Sequence, residues 1–409
     1  MRRLWLLALV ACAHAAPPAF GPPGAVELIA SEPVETSLDD GGLREAWQVW
    51  PEMIGAAGSS IDLAQFYVSE QGPSRLTPVI QALEAAAKRG VRVRFLADAG
   101  FAKTYPQVLD ELSKSGAQVV KYKPSTGGVL HAKYFVVDER TGYLGSQNFD
   151  WRSLQHIQEL GVRFTEPHAV RALEDVFELD WALAQGVKPP KSLAPPPPDE
   201  APVTLLEDPR GLLVANANAR FELPKLVTLI DSAKKSFKVQ TLTYAEVPEL
   251  SEAMVRAAAR GVKVQLLTSD WELRPKTAAA LKALDPRIEV RILAIPKNSG
   301  EFIPFARVAH AKYCVADGER GVVSTSNWER DYFEKSRNVA LLIESGEVPR
   351  QLASFFDRNW SSSYAEPFDK AADRKPPRIS ARRMPDLTVI ADPSARNADA
   401  GAALNVSVN

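Results

Sequence analysis

The chain carries one pattern twice. His131-Ala132-Lys133-Tyr134-Phe135-Val136-Val137-Asp138 and His310-Ala311-Lys312-Tyr313-Cys314-Val315-Ala316-Asp317 both read H-x-K-x-x-x-x-D, and from these histidines the copies align without a gap at a constant offset of 179 residues, as far as Trp181 and Trp360. With five histidines available, about 0.01 such matches are expected by accident. An asparagine follows each aspartate by ten residues, in Gly145-Ser146-Gln147-Asn148 and Ser324-Thr325-Ser326-Asn327. A unit repeated at this length predicts two similar halves.

The stretches before the motifs also correspond. Ser59-Ser60-Ile61-Asp62-Leu63-Ala64-Gln65-Phe66-Tyr67 answers Ser236-Phe237-Lys238-Val239-Gln240-Thr241-Leu242-Thr243-Tyr244, each with the apolar content of a buried strand. An Ala-rich helical pattern then ends in glycine and a β-branched strand, at Ala85–Val93 and again at Ala257–Val264. Helices alternating with strands predict an α/β fold with two similar sheets. The halves are placed at 25–187 and 203–368. Between them 188–202, with Pro195-Pro196-Pro197-Pro198, has the composition of an extended linker, and 369–409, rich in Ala, Arg, Pro and Asp, that of a loosely held tail.

Composition narrows the classes further. Of 409 residues 45% are hydrophobic, and 49 Lys+Arg stand against 50 Asp+Glu, which excludes bulk disorder and a basic surface that coats duplex nucleic acid by charge alone. Cys12 and Cys314 are the only cysteines, so neither a disulfide framework nor a paired-cysteine zinc site is expected. No cofactor or metal is called for. At the N-terminus, Arg2-Arg3, the apolar run Leu4–Val10 and Ala13-His14-Ala15 read as a signal peptide over 1–15. Leu9-Val10-Ala11-Cys12 offers a second reading, a bacterial lipoprotein box in which Cys12 is lipidated and attaches the mature chain to a membrane. Both readings make the protein exported, either periplasmic or membrane-anchored, or secreted.

The motif spacing has a chemical meaning. In a strand, residues i and i+2 share a face, so His131 projects with Lys133 while Tyr134 and Val136 face the other way. The turn-rich Asp138–Gly142 can fold a second strand back, bringing Ser146 and Asn148 toward Lys133; His310, Lys312, Thr325 and Asn327 form the equivalent set. Two imidazoles, two ammonium groups and two amides suit a phosphodiester: one imidazole attacks phosphorus, the other protonates the leaving oxygen, and the rest neutralise the nonbridging oxygens. Asp138 and Asp317 complete the catalytic sextet with His131, Lys133, His310 and Lys312. Phe149, Trp151 and Trp328, just past the motif asparagines, are candidates to line the substrate cleft. Arg92, Arg94, Lys121, Lys123, Arg152 and Arg307 are candidate phosphate contacts. His156 and His168 are assigned to structure, and Trp181 and Trp360, ending apolar helical runs, to the core.

These residues resemble the phospholipase D superfamily, marked by two H-x-K-x(4)-D motifs per active site, over about 25–368. Gly128–His131 with Tyr143–Leu154, and Ile303–Val308 with Thr325–Trp328 and Tyr332-Phe333, are similar to the branch containing the lysosomal phospholipase-D-like 5′ exonucleases and the poxvirus nicking-joining nuclease. The resemblance implies two α/β/α halves about a pseudo-twofold axis, both motifs in one cleft, and a metal-free mechanism through a phosphohistidine. It implies a phosphodiester substrate, in the leading reading the ends of single-stranded DNA or RNA cleaved by an exonuclease, the alternative being a phospholipase D or transphosphatidylase acting on membrane phospholipids; no obligate protein partner is evident. It also places a carboxylate for the motif histidine at Glu159, 28 residues after His131, with Asn338 the equivalent in the second half. On that basis Glu159 is expected behind His131, making His131 the nucleophile and His310 the general acid. Ser324 stands where the first half has Gly145, an expected small shift of the second hairpin.

Overall fold

The computed structural model describes residues 21–22, 24–38, 42–190, 201–209, 220–245, 247–271, 273–344 and 346–372. The expected signal peptide with Cys12, most of the linker and the tail beyond 372 lie outside the described residues.

In the first half the strands are β1 (Val26–Ser31), β2 (Arg44–Glu45), β3 (Ser60–Gln65), β4 (Val68–Ser69), β5 (Arg92–Asp98), β6 (Gln118–Tyr122), β7 (Lys133–Val137), β8 (Thr141–Gly145), β9 (Phe149–Asp150) and β10 (Glu159–Phe164). In the second they are β11 (Val203–Asp208), β12 (Ser236–Thr241), β13 (Lys263–Ser269), β14 (Ile288–Leu293), β15 (Tyr313–Ala316), β16 (Arg320–Ser324), β17 (Asn338–Ile343) and β18 (Ala365–Pro367). The sheet orders are β2-β1-β10-β8-β7-β3-β5-β6 and β11-β17-β16-β15-β12-β13-β14-β18. With β1 matched to β11 and β10 to β17, these are one topology, extended by β2 at one edge of the first sheet and by β18 at the opposite edge of the second. The α/β reading and the duplication are thus both present. The second half extends slightly past the boundary set at 368, since the helix Phe368–Ala371 buries Phe368 and Ala371 against the β14 side.

Period-2 alternation assigns each strand's side chains to two cores. Along β7, Tyr134 and Val136 enter a central cluster shared by both halves, whereas Phe135 and Val137 enter an outer one; β15 divides likewise, with Tyr313 and Val315 central and Cys314 and Ala316 outer. Helices Ala46–Gly55, Thr77–Lys88 and Gln107–Lys114 cover the outer face of the first sheet, and Glu222–Ser232, Pro248–Ala259 and Pro275–Lys282 that of the second. The long helices Pro167–Ala184 and Glu347–Ser361 contribute Phe177, Trp181, Phe356 and Trp360 to the central cluster, so the tryptophans are core residues as expected. Gly90 closes helix Thr77–Lys88 at φ 89°, and Gly261 closes Pro248–Ala259 at φ 87°, the left-handed conformation that a glycine adopts without a Cβ clash.

The expected hairpins form, β7 with β8 and β15 with β16. The glycine-to-serine change does not displace the second one: Gly145 pairs with Gly161 and Ser324 with Ala340 in the same register. A Cβ on Gly161 would clash with the Tyr143 hydroxyl. The second half has Val322 where Tyr143 stands, and the smaller side chain leaves room for Ala340.

Candidate active site

Both motifs start where a strand leaves the joint between the halves. Leu130 bridges Arg337 and Gln158 bridges Ala309, each as an isolated parallel pair. His131 N donates to Arg337 O at 3.0 Å, and His310 N donates to Gln158 O at 2.8 Å. The residue after each bridge therefore faces a partner from the other half.

This placement corrects the expected support of the histidines. Glu159 Oε2 lies 2.7 Å from His310 Nδ1, and Asn338 Oδ1 lies 3.1 Å from His131 Nδ1. The positions implied by the resemblance do face the motif histidines, but the backbone bridges lay β10 beside the approach to β15 and β17 beside the approach to β7. Each support thus crosses to the opposite histidine.

The surrounding bonds fix both supports. Asn338 Nδ2 donates to Tyr332 O (2.9 Å) and Ser336 O (3.4 Å), and Thr325 Oγ1 donates to Asn338 Oδ1 (2.9 Å), so the amide oxygen is the atom turned to His131. An acceptor there makes Nδ1 the protonated nitrogen of a neutral His131 and leaves the Nε2 lone pair available. Ser153 Oγ donates to Glu159 Oε1 at 2.8 Å and holds the carboxylate that faces His310. Ser146 hydrogen-bonds both backbone groups of Leu160, anchoring the strand that carries Glu159.

Lys133 and Lys312 are buried to 1% exposure. Each ammonium donates to the carbonyl of its own motif histidine, Lys312 at 2.8 Å. Burial is the largest influence on both imidazoles. It holds His131 well below its ordinary value, aided by Lys133 and Lys312, with Asn338 opposing; it also lowers His310, where the Glu159 carboxylate opposes and both lysines assist. Each histidine responds to both lysines, so the two motifs form one electrostatic site. Asn148 and Asn327 lie three residues past the positions facing the lysines across each hairpin. The Asn148 amide oxygen and both amide atoms of Asn327 are buried without a hydrogen-bond partner among the described residues. Leaving such groups unbonded costs about 1–3 kcal/mol each, which a bound phosphoryl oxygen would offset at a donor.

Several expected members lie elsewhere. Asp138 caps the loop before β3, accepting from Gly58 N (2.8 Å), Ser59 N (2.7 Å), Ser59 Oγ (2.7 Å) and Ser60 N (2.9 Å). Asp317 does the same before β12 through the backbone N–H groups of Lys234, Lys235 and Ser236. Five residues of extended strand, about 17 Å, separate Asp138 from Lys133. These aspartates are turn anchors and do not join the catalytic set. Phe149 is fully buried and stacked on Trp50 at 4.6 Å, and Trp328 is buried against Phe237, so both are core residues. Trp151 alone of the three cleft candidates is half-buried.

Four of the candidate phosphate contacts are committed internally. Arg92 and Arg94 pair with Asp62, Arg152 with Asp150, and Arg307 bonds the carbonyls of Pro296 and Val34. Lys121 and Lys123 are exposed. His156 packs edge-on against Trp151 at 5.6 Å, and its carbonyl accepts from Arg307 N at 2.9 Å. Sequence reasoning assigned no role to Ser153 and Tyr332, which occupy equivalent repeat positions; Tyr332 packs edge-on against His131 at 4.7 Å. It also passed over the role of Phe66, which meets the His131 ring at 5.0 Å and the Lys133 ammonium at 4.9 Å.

Two half-sites related by a pseudo-twofold, each presenting a histidine and a lysine to a common point, define a phosphoryl-transfer site of the phospholipase D type. The chain belongs to the phospholipase D-like family, matching the Cardiolipin synthase, PLD-like domain over residues 51–181 and 226–360. It is 32% identical over 376 residues to the 5'-3' exonuclease PLD3 of Bos taurus, covering 80% of this chain and 76% of that one. To Phospholipase D Z of Dictyostelium discoideum it is 30% identical over 392 residues, covering 84% and 91%. The fold is similar to phosphatidylserine synthase of Haemophilus influenzae, with a TM-score of 0.59 and 13% identity over 79% of this chain and 86% of that one. The chain is accordingly a phosphodiesterase of this family.

Proposed function

We propose that the protein hydrolyses phosphodiester bonds at the ends of single-stranded nucleic acid, without a metal, through a phosphohistidine on His131. The crossed pairing of the histidines carries this assignment of roles and replaces its expected ground, a carboxylate behind His131, since Glu159 stands behind His310. His131, neutral and bonded to an amide oxygen, offers Nε2 as the nucleophile; His310, bonded to a carboxylate, is the better proton carrier. His131 Nε2 bonds to phosphorus as the leaving oxygen departs with the proton from His310. Neutral His310 then takes a proton from water, whose oxygen attacks phosphorus and releases His131. Lys133, Lys312, Asn148 and Asn327 surround the nonbridging oxygens.

The nucleic-acid reading is supported by the exonuclease relatives, and the name of the Dictyostelium relative favours a second reading, cleavage of phospholipid headgroups. Side-by-side assay on 5′-hydroxyl single-stranded DNA and phosphatidylcholine vesicles, with and without EDTA, tests both points. Nucleotide release that resists the chelator is expected; choline release without nucleotide release gives the second reading, and EDTA inhibition reversed by Mg²⁺ or Zn²⁺ removes the metal-free mechanism. With a p-nitrophenyl ester, which needs little acid help, His310→Ala is expected to accumulate labelled phosphoenzyme and His131→Ala to form none. Label on His310 would reverse the roles. Export is part of the same proposal, with the mature chain beginning at Cys12 or near Ala16, and intact mass of native protein distinguishes a lipidated Cys12 from simple cleavage.

A further inference from the structure

The connection from β14 to β15 spans residues 294–312, nineteen in all, against ten, 123–132, from β6 to β7. The longer loop is built as a fixed shelf. Phe305 and Arg307 have φ of 59° and 63°, a left-handed conformation that costs a side-chain-bearing residue about 1–3 kcal/mol and persists where the surroundings enforce it. Here they do. Arg307 donates to Val34 O at 2.7 Å, Arg152 donates to Pro304 O at 3.3 Å, and Ser299 donates from N and Oγ to Glu35 at 2.6 and 2.9 Å.

The shelf brings planar groups together across the joint, Phe305 tilted 53° to Trp271 and Trp151 edge-on to His156. Trp271 lies 5.7 Å from Phe305, the Arg152 guanidinium 5.9 Å from Phe305 and 5.8 Å from Trp151, and Trp151 5.6 Å from His156. Trp151, Trp271 and Phe305 are all half-buried, so each ring is only partly covered by the protein. Arg152 is fixed on Asp150, which also accepts from the Tyr67 hydroxyl. The row is linked to His310 through Glu159, which accepts from Ser153, the residue after Arg152, at 2.8 Å and lies 2.7 Å from His310 Nδ1.

We propose that Trp271, Phe305, Arg152 and Trp151 form a stacking platform for the bases of single-stranded nucleic acid, an inference that rests on the nucleic-acid reading above. Aromatic faces interleaved with guanidinium accept any base by its π-face. Because the row belongs to the part of the site that holds His310, the group that protonates the leaving oxygen, the strand it holds is assigned as the leaving one.

The test uses the full chain, wild type and with Trp271→Leu or Phe305→Leu, which keep apolar bulk but lose the planar face. Substrates are a single-stranded oligonucleotide, an abasic strand of equal length and methyl p-nitrophenyl phosphate. The ratio of kcat/KM for the oligonucleotide to that for the small diester is expected to fall about tenfold in each variant. On the abasic strand wild type and variants should converge. An unchanged ratio, or an equal loss on the normal and abasic strands, overturns the platform while leaving the substrate reading in place. A wild type that cleaves the small diester and phosphatidylcholine vesicles but no oligonucleotide overturns the substrate reading itself, and the platform with it.

Discussion

At the scale of single residues, the two histidines differ in what stands behind them. Glu159 raises the affinity of His310 for its proton against the effect of burial, and Asn338 gives His131 no such charge. Glu159→Gln should therefore move the alkaline limb of the kcat/KM profile to lower pH, because the acid form of His310 is lost sooner. The rate on an unactivated diester at pH 7 should fall by about 10²-fold, and by much less with p-nitrophenol as leaving group. Asn338→Asp should act on the other limb. A carboxylate behind His131 keeps it protonated, so the acidic limb moves to higher pH. Opposite movements of the two limbs, measured on one substrate, would confirm the crossed pairing; movement of the same limb in both variants would refute it.

At the scale of elements, the repeat made both sheets and both hairpins legible, because strand alternation and constant spacing are local properties of the chain, while the support positions came from the family resemblance. The partner of Glu159 was not legible. Spacing along one strand cannot tell which histidine lies opposite when the neighbouring strand belongs to the other half. Asp138 misleads for a related reason: shared spacing marks shared architecture, and a turn anchor repeats as faithfully as a catalytic group. Burial pushes the Asp138 carboxyl up, but its hydrogen bonds to Ser60, Gly58 and Ser59 outweigh this and hold it below its ordinary value. Its stabilising contribution is thus present above the unfolded pKa and lost as pH falls through the folded one. Asp138→Ala should lower unfolding free energy by about 2–4 kcal/mol at neutral pH, read from the denaturant midpoint, and by less near pH 3. Phe149 and Trp328 show the same limit, since an aromatic residue following a motif can be a cleft wall or a core plug, and only packing separates the two.

At the scale of the whole molecule, the joint holds charge as well as apolar surface. Arg337, fully buried, pairs with Asp180 at 2.7 Å and Glu207 at 3.4 Å, and the carboxyls of Asp208 and Glu222 are buried nearby. Burial pushes Glu207 and Glu222 up to about 7, Arg337 opposing at the first and the serines Ser324 and Ser326 at the second. A carboxyl raised in the folded state contributes stability that is present below its unfolded pKa and lost as pH rises through the folded value. Glu222→Gln, which can still accept from Ser326, should accordingly stabilise the protein at pH 7.5 by about 2 kcal/mol and have little effect at pH 4. Thermal unfolding of both proteins across that range checks it. The crossed supports have one more consequence. Because Asn338 orients His131 and Glu159 orients His310, neither half contains a finished reactive histidine, and a fragment released by cleavage between them would be inert. Hydrolytic competence therefore reports correct assembly: a nascent or nicked chain is harmless to the phosphodiesters around it until both halves have closed on each other.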